Sequence, residues 1–532
     1  MPGLLGFGMQ VGFDDQLRDL CGPQYGGLSP LDELSLPLLG HETERKLIEH
    51  CGVFGAIGGD ALRITCRGLG FLSHRGQDGS GVAYRTRAGT TELFRGLGRV
   101  DQALSSLNLG EESTVAIGHN RYGTTGGQGI ENVQPFTLEI PGIGQVAIAH
   151  NGNLTNADHL RARLQSQRCH FKSTSDTEVV LHLMAEAAAG EAGSIGKVDL
   201  LSAALRQVTG SYSIIAFFPD GLLAARDPHG NRPLSIGKFG DATIVTSESC
   251  GWDSYSVYKF DDVPRGAVVE IALDGSVSEP RLTLGNSLSA QCLMELLYFS
   301  RPDSTVFGVQ VQKFREEMGK RLYQIDHLEA DIVVPLMASG ADYAVGYSAA
   351  SGIPLKFAVS KNPNASRVFI LSDEGSRHTG TLDKHCIIRS TIAGKRVVLI
   401  DDSVVRGTTL SELVRLLRAD AALRRAGAKE VHVRIAAPPI VGPCHYGIST
   451  PDPNELAANK WGGYRGTGTV DPVGIAAELC RAFEATSFAF GTLADQEAAL
   501  NAALGGVRPD DFCNACFTGK YDKIPGPLYH LA

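Results

Sequence analysis

The sequence predicts an α+β segment over residues 51–285 followed by an α/β segment over residues 286–480. Three observations carry that division. Short β-branched runs separated by glycine turns fill the first segment. In the second, wholly apolar strands alternate with stretches of helical period. The length of 532 residues accommodates two to four domains at roughly 100–200 residues each.

Composition narrows the function classes. The hydrophobic share of 43% supplies sizeable cores, and the charged share of 20% argues against wholesale disorder. Lys and Arg number 49 against 58 Asp and Glu, a net charge of -9. With no basic run to offset that balance, no nucleic-acid partner is expected. No apolar stretch is long enough to span a bilayer, so no membrane partner is expected either. Eleven cysteines, scattered, are too few for a disulfide scaffold. Reduced thiols in a cytoplasmic protein are expected, some of them catalytic or metal-bound.

The elements follow in chain order. Residues 1–50 are rich in Gly, Pro and Leu and lack periodicity. They open Met1-Pro2-Gly3, with no basic residue before Arg18, so they are expected to be a leader or propeptide and not an export signal. Strands are expected at Val82-Ala83-Tyr84, Val146-Ala147-Ile148-Ala149, Ser213 to Phe218 and Val268-Val269-Glu270-Ile271. Ser175-Asp176-Thr177-Glu178 reads as a capping box, with Val179, Val180, Leu183 and Met184 at helical spacing behind it. In the second segment, Asp331 to Pro335 and Val397 to Ile400 suit a parallel sheet covered on both faces. Leu410, Leu413, Val414 and Leu417 form one helix face, with Gly427 as the expected stop, and Val431 to Ile435 is the next strand. The tail, residues 481–532, is expected to be helical and then irregular.

Cys51-Gly52-Val53-Phe54-Gly55 stands at the end of the leader. Alone, a cysteine before an apolar run is a core residue. Downstream, however, come Ser73-His74-Arg75-Gly76-Gln77-Asp78, Gly118-His119-Asn120-Arg121-Tyr122, His150-Asn151-Gly152-Asn153-Leu154 and the Ser175–Glu178 stretch. Together these clusters resemble the glutamine amidotransferase domain of the N-terminal-nucleophile family, which implies an αββα sandwich. If the bond before Cys51 is cut, its new α-amine titrates near neutrality and can serve as the base for its own thiol. The resemblance implies that Asn151 and the Gly152 N–H form the oxyanion hole. It also implies that Arg121 takes the carboxylate of glutamine and Asp176 its ammonium. Asp176 also reads as a first-turn helix acid. Arg75 joins the glutamine side without a sharper role.

Val397 to Thr409 runs apolar strand, acidic pair, small hydroxylated loop, helix. A lone acidic pair reads as a βα turn with an acidic cap. The full string makes an anion site, in which loop N–H groups with Thr408 and Thr409 would cradle a phosphate. It resembles the PRPP (phosphoribosylpyrophosphate) motif of type I phosphoribosyltransferases. That resemblance implies a PRPP pocket of Asp401, Asp402, Ser403, Arg406, Gly407, Thr408, Thr409 and Lys361. Asp401 and Asp402 would sit at the ribose hydroxyls beside Mg2+.

The two domains in this order resemble the glutamine phosphoribosylpyrophosphate amidotransferase (amidophosphoribosyltransferase) family. Arg226 to Leu234 and Tyr298 to Ser304 match it as well. Sister amidotransferases share the first domain only. The resemblance implies an enzyme, a glutamine amidotransferase and pentosyltransferase, that makes 5-phosphoribosylamine for purine synthesis and assembles as a homo-oligomer, tetramer or dimer. Cys513-Asn514-Ala515-Cys516 alone could be a redox pair or half a zinc site. With Cys292 and Cys444 it matches the [4Fe–4S] ligands of one branch of the family, with Zn as the alternative metal. Cys21, Cys66, Cys169, Cys250, Cys386 and Cys480 are expected to be ordinary buried thiols.

The match departs from the family in the acceptor half. Lys361-Asn362 is followed by Pro363 to Ile370, and the pyrophosphate loop reads Pro335-Leu336-Met337-Ala338-Ser339-Gly340. Lys361, Arg367, Arg377, Lys384 and Arg389 lie near this pocket in sequence but out of the family's spacing. Two other functions therefore stay open. One is delivery of ammonia not to PRPP but to a related sugar phosphate or another phosphorylated acceptor in specialised metabolism; the other is a non-catalytic regulator.

Overall fold

The computed structural model describes residues 51–110, 112–122, 129–190, 195–253, 260–285, 287–361, 385–418, 426–448, 450, 452–464, 469–504 and 509–525. All belong to one unit, Lys46–Ala532. The expected leader lies outside the described residues.

Two antiparallel sheets face each other in the first segment. One contains, in chain order, β1 (Gly52–Ile57), β2 (Gly79–Thr86), β3 (Thr91–Leu97), β4 (Ser113–Arg121), then β9 (Ser235–Phe239), β10 (Ala242–Thr246) and β11 (Phe260–Asp262). Its spatial order is β11-β9-β10-β1-β4-β2-β3. The other is ordered β12-β8-β7-β6-β5, from β5 (Phe136–Ile140), β6 (Gly144–Leu154), β7 (Gly210–Phe218), β8 (Gly221–Arg226) and β12 (Val268–Ala272). Between them Val53, Ile57 and Ile117 interdigitate with Ala149, Ile215 and Phe217. Burial of both strand faces requires outer layers. The helix Ala61–Phe71 covers the first sheet through Leu62 and Leu69, and Thr177–Gly190 covers the second through Val180, Leu183 and Met184. This is the αββα sandwich.

The second segment is a parallel sheet, ordered β16-β19-β20-β21. Its strands are β16 (Ile332–Pro335), β19 (Arg396–Asp401), β20 (Glu430–Ile435) and β21 (Ser487–Phe490). Helices Ala341–Ser351 and Thr408–Leu417 follow β16 and β19, as crossovers between parallel strands require. A separate ribbon pairs β17 (Val359–Lys361) with β18 (His385–Ile387), and a hairpin pairs β14 (Thr305–Val306) with β15 (Val309–Gln310). Finally, β13 (Gln291–Cys292) pairs in parallel with β22 (Phe512–Cys513), setting Cys292 beside Cys513.

Three expectations are corrected. The capping box does not form: Glu178 turns away from Ser175 and accepts from the Lys172 and Ser173 N–H groups, both at 2.8 Å. The helix of the PRPP motif stops at Leu417, where Arg418 is extended, well before Gly427. The tail does contain a helix, Leu493–Leu504, but the expected run is interrupted: the helix Pro472–Ala482 ends at its start and β21 then completes the parallel sheet beyond residue 480.

Candidate functional site

Cys51 stands at the head of β1, and the register of β1 on β4 brings Arg121 and Tyr122 alongside it. Its Sγ lies 3.9 Å from the Tyr122 carbonyl. Burial pushes the Cys51 thiol up, against the Tyr122 contact and the positive charge of Arg121 and Arg75 that favour the thiolate, with Asp176 opposing them. The thiol is therefore protonated at rest and needs a base.

Strand β6 carries Asn151 and Gly152 and packs against β1. Asn151 is 1% exposed, and neither its amide nitrogen nor its amide oxygen has a hydrogen-bond partner. A buried amide left unpaired costs about 1–3 kcal/mol, so the fold holds a donor in reserve there. Gly152 is fixed by close approach: a Cβ would lie 2.1 Å from the Ser211 carbonyl oxygen.

Arg121 donates to the Asn132 carbonyl. Asp176 accepts from the Leu154 N–H at 2.9 Å, which holds its carboxylate at the end of the same strand. Both are felt electrostatically by Cys51, so the structure gathers Cys51, Arg121 and Asp176 at one place. Arg75 differs from expectation. Its side chain is enclosed, paired to Glu248 and to Glu295 at 2.8 Å, and its Nε donates to the Cys51 carbonyl at 3.3 Å. It holds the Cys51 backbone and presents no open fork to a substrate.

Sequence reasoning missed the buried frame behind this site. Glu295 is shared between Arg75 and Arg232, the latter at 3.4 Å. Glu248 also accepts from the Arg301 N–H at 3.0 Å and the Ser304 hydroxyl at 2.8 Å. Burial alone would raise the Glu248 carboxyl, but His74 and Arg75 hold it well below the usual carboxylate range. His74, Glu248 and Cys250 are the one set of three potential metal ligands within 4.8 Å of one another among the described residues. Because Glu248 is already saturated by arginine and hydroxyl donors, that set reads as part of the frame.

In the second segment Asp401 and Asp402 are buried at the carboxyl end of β19, where parallel sheets bind ligands. Asp401 Oδ1 accepts from the Ser339 hydroxyl at 2.9 Å and the Asp402 N–H at 3.0 Å. Asp402 accepts from the Ser403 hydroxyl on one oxygen, while its buried Oδ1 has no partner. Gly407 takes a left-handed φ of 77° before the helix Thr408–Leu417, and no side chain caps that helix. Its first N–H groups therefore point out of a glycine turn, flanked by half-buried Thr408 and Thr409, as an anion site requires. Arg406 is held by Glu455 at 2.8 Å.

Lys361 ends β17. Arg367, Arg377 and Lys384 lie outside the described residues. Arg389 is corrected: its guanidinium donates to the Leu416 and Ala426 carbonyls, at the opposite end of the helix from Gly407, about 15 Å away at 1.5 Å per residue.

Cys292, Cys444, Cys513 and Cys516 line one small cavity with Tyr446 and Tyr521. Burial pushes the Cys292 thiol up to about 12 and Cys513 to about 11, and raises Cys516 as well. The Tyr446 N–H donates to the Cys444 sulfur at 3.3 Å. Among the other cysteines Cys250 is buried, but Cys386 is exposed, contrary to expectation, and Cys66, Cys169 and Cys480 are half-buried. Cys21 lies outside the described residues.

Residues 127–251 match the model of a glutamine amidotransferase domain family. Over 480 residues the chain is 38% identical to the amidophosphoribosyltransferase of Bacillus subtilis, covering 89% of this chain and 94% of that one. It is 34% identical to the enzyme of the same name from Methanocaldococcus jannaschii, covering 88% and 97%. The solved structure of the B. subtilis glutamine PRPP amidotransferase, complexed with ADP and GMP, superposes with a TM-score of 0.77 at 35% identity, covering 90% of this chain and 100% of that one. Identity at that level across both the sandwich and the parallel sheet leaves one conclusion: this chain belongs to the amidophosphoribosyltransferase family, enzymes that join a glutamine amidotransferase to a pentosyltransferase.

Proposed function

We propose that Cys51 opens the reaction by attacking the side-chain carboxamide of glutamine, with the buried, unpartnered amide of Asn151 as the observation that carries this reading. Arg121 takes the α-carboxylate and Asp176 the α-ammonium, which sets the carboxamide over the thiol. Once the leader is removed, the α-amine of Cys51 accepts the thiol proton as sulfur bonds to carbon. The developing oxyanion is met by the Asn151 amide and the Gly152 N–H. The amine returns its proton to the leaving nitrogen, and ammonia departs from a thioester. Water then hydrolyses the thioester, releasing glutamate and restoring the thiol.

Ammonia next attacks C1 of PRPP and displaces pyrophosphate, giving 5-phosphoribosylamine, the first step of purine synthesis. The N–H groups after Gly407, with Ser403, Thr408 and Thr409, would hold the 5-phosphate. Asp401 and Asp402 would accept from the ribose hydroxyls, and the free oxygen of Asp402 suits that task. Asp401 and Asp402 would also help to hold Mg2+, which would supply neutralisation of the leaving group's charge. Lys361 is assigned to the pyrophosphate side.

The four-cysteine cavity suits a [4Fe–4S] cluster held by Cys292, Cys444, Cys513 and Cys516. A single tetrahedral zinc needs sulfurs about 3.8 Å apart, from Zn–S bonds near 2.3 Å. Four thiolates around one cavity meet the ligand requirement of the cluster, with zinc as the alternative metal. Three of the thiols are raised by burial, so they need a cation to ionise. The role of the cluster is structural.

Product analysis with glutamine, PRPP and Mg2+ tests the function. Glutamate, pyrophosphate and phosphoribosylamine are expected in equal amounts. Glutamate without pyrophosphate, at saturating PRPP, would give the different-acceptor reading its place.

A further inference from the structure

We propose that the turn Tyr446–Gly447, directly after Cys444, is a positioning element for glutamine hydrolysis that sets the strand bearing the oxyanion donors. The inference rests on the assignment of Asn151 and Gly152 as those donors. It starts from a physical problem. An oxyanion hole works only if its donors are held to within about 0.5 Å, yet the Asn151 amide has no hydrogen bond to hold it. Its position must come from the backbone of β6.

Three consecutive residues of the second segment, His445 to Gly447, meet this strand and its surroundings. The His445 carbonyl accepts from Asn153 Nδ2 at 2.8 Å. The Tyr446 carbonyl accepts from Ser211 Oγ at 2.7 Å and from Arg232 Nε and Nη2 at 3.0 and 2.6 Å. Ser211 stands opposite Asn153 in the β6–β7 register, so the neighbouring strand is held as well. Gly447 lies flat on Gly152: a Cβ there would sit 2.9 Å from the Gly152 carbonyl carbon and 3.0 Å from its oxygen, at a φ of +105°. Only glycine allows both the contact and the conformation.

The turn is itself anchored. The Tyr446 hydroxyl donates to the Ile524 carbonyl at 2.7 Å, and Arg232 continues to Glu295, Arg75 and the Cys51 carbonyl. Nucleophile, oxyanion strand and turn thus share one buried frame. Moving the turn tilts Gly152 relative to Cys51; Arg121 stands on β4, and Asp176, though tied to β6 at Leu154, is also held by the Ser175 and Thr177 hydroxyls. The effect belongs in kcat for glutamine and not in its KM.

The test uses the purified full-length enzyme with its metal bound. Glutamine-dependent and ammonia-dependent phosphoribosylamine synthesis are measured for Gly447→Ala, Ser211→Ala and Asn151→Ala. Gly447→Ala should lower kcat with glutamine by about tenfold or more, as for a displaced oxyanion donor, with KM for glutamine and the ammonia-dependent rate unchanged. Ser211→Ala deletes one hydroxyl from the grip and should lower kcat by about two- to fivefold, the scale of one neutral hydrogen bond; it decides the matter if Gly447→Ala does not fold. Full kcat in Ser211→Ala and in any folded Gly447→Ala, beside a collapsed Asn151→Ala, overturns the proposal and leaves the oxyanion assignment standing. Full kcat in Asn151→Ala overturns the assignment itself. Equal loss of both activities in folded Ser211→Ala makes the turn merely structural and also overturns the proposal.

Discussion

Around Cys51 the groups that fix the site come from segments far apart in the chain; around Asp401 they come almost entirely from one contiguous stretch. Arg75 reaches Glu248 and Glu295 across 173 and 220 residues, and the ion pairs so formed are wholly enclosed. The proposed phosphate loop, by contrast, runs strand, acidic pair, glycine turn and helix without a break. The difference follows from what each half must do. A tetrahedral oxyanion needs two or three donors at fixed points, which only a rigid frame supplies. A phosphate can be held by successive backbone N–H groups, which a short loop already presents.

Substitutions can break this comparison at several depths. Cys51→Ala removes the proposed nucleophile, and glutamate release should fall by at least about 10,000-fold, while added ammonia restores pyrophosphate release; a glutaminase assay on the purified variant checks it. Glu295→Gln strips the charge shared by Arg75 and Arg232. Breaking such a buried pair should cost about 3–5 kcal/mol, read as a lowered urea midpoint. The same change should slow glutamine hydrolysis more than ammonia use, because only the glutamine half leans on the frame.

Asp402→Asn makes the complementary cut. PRPP with Mg2+ should bind about ten- to a hundredfold more weakly, the value of one charge-assisted hydrogen bond, about 1.5–3 kcal/mol. Basal glutaminase should persist, and calorimetric titration reads the difference. The smallest effect concerns Glu178, behind Asp176. Burial alone would raise its carboxyl, but hydrogen bonds from His182, Lys172 and Ser173 bring it down to about 2. A folded pKa below the unfolded value of about 4.3 contributes stability above that value and loses it as pH falls toward 2. Glu178→Gln should therefore flatten acid unfolding between those limits, measured by circular dichroism.

Legibility in the sequence followed the same contrast. The strands at Val146, Ser213, Val268, Val397 and Val431 were readable because apolar runs bounded by turns are local signals. So was the strand, acidic pair, turn and helix around Asp401. The residues Cys51, Asn151, Arg121 and Asp176 were legible only as a set of short clusters, since each alone reads as packing. The roles of Glu248, Glu295 and Arg232 were not legible at all. Nothing local marks a glutamate that will meet an arginine two hundred residues away. Arg75 was misplaced for that reason: the sequence shows a guanidinium but not the two carboxylates that enclose it. Glu178 shows the same limit at short range, where the loop at Lys172 competed with the cap and won.

The parallel bridge that sets Cys292 beside Cys513 has a consequence for biosynthesis. Its two strands flank the entire parallel sheet in the chain, so a growing polypeptide cannot join them until that sheet has been made. The sandwich, with Cys51 at its head, emerges first and stands ready long before its bracing turn and tail arrive. On the reading proposed above, a chain released early would carry Cys51 without the clasp that braces its site.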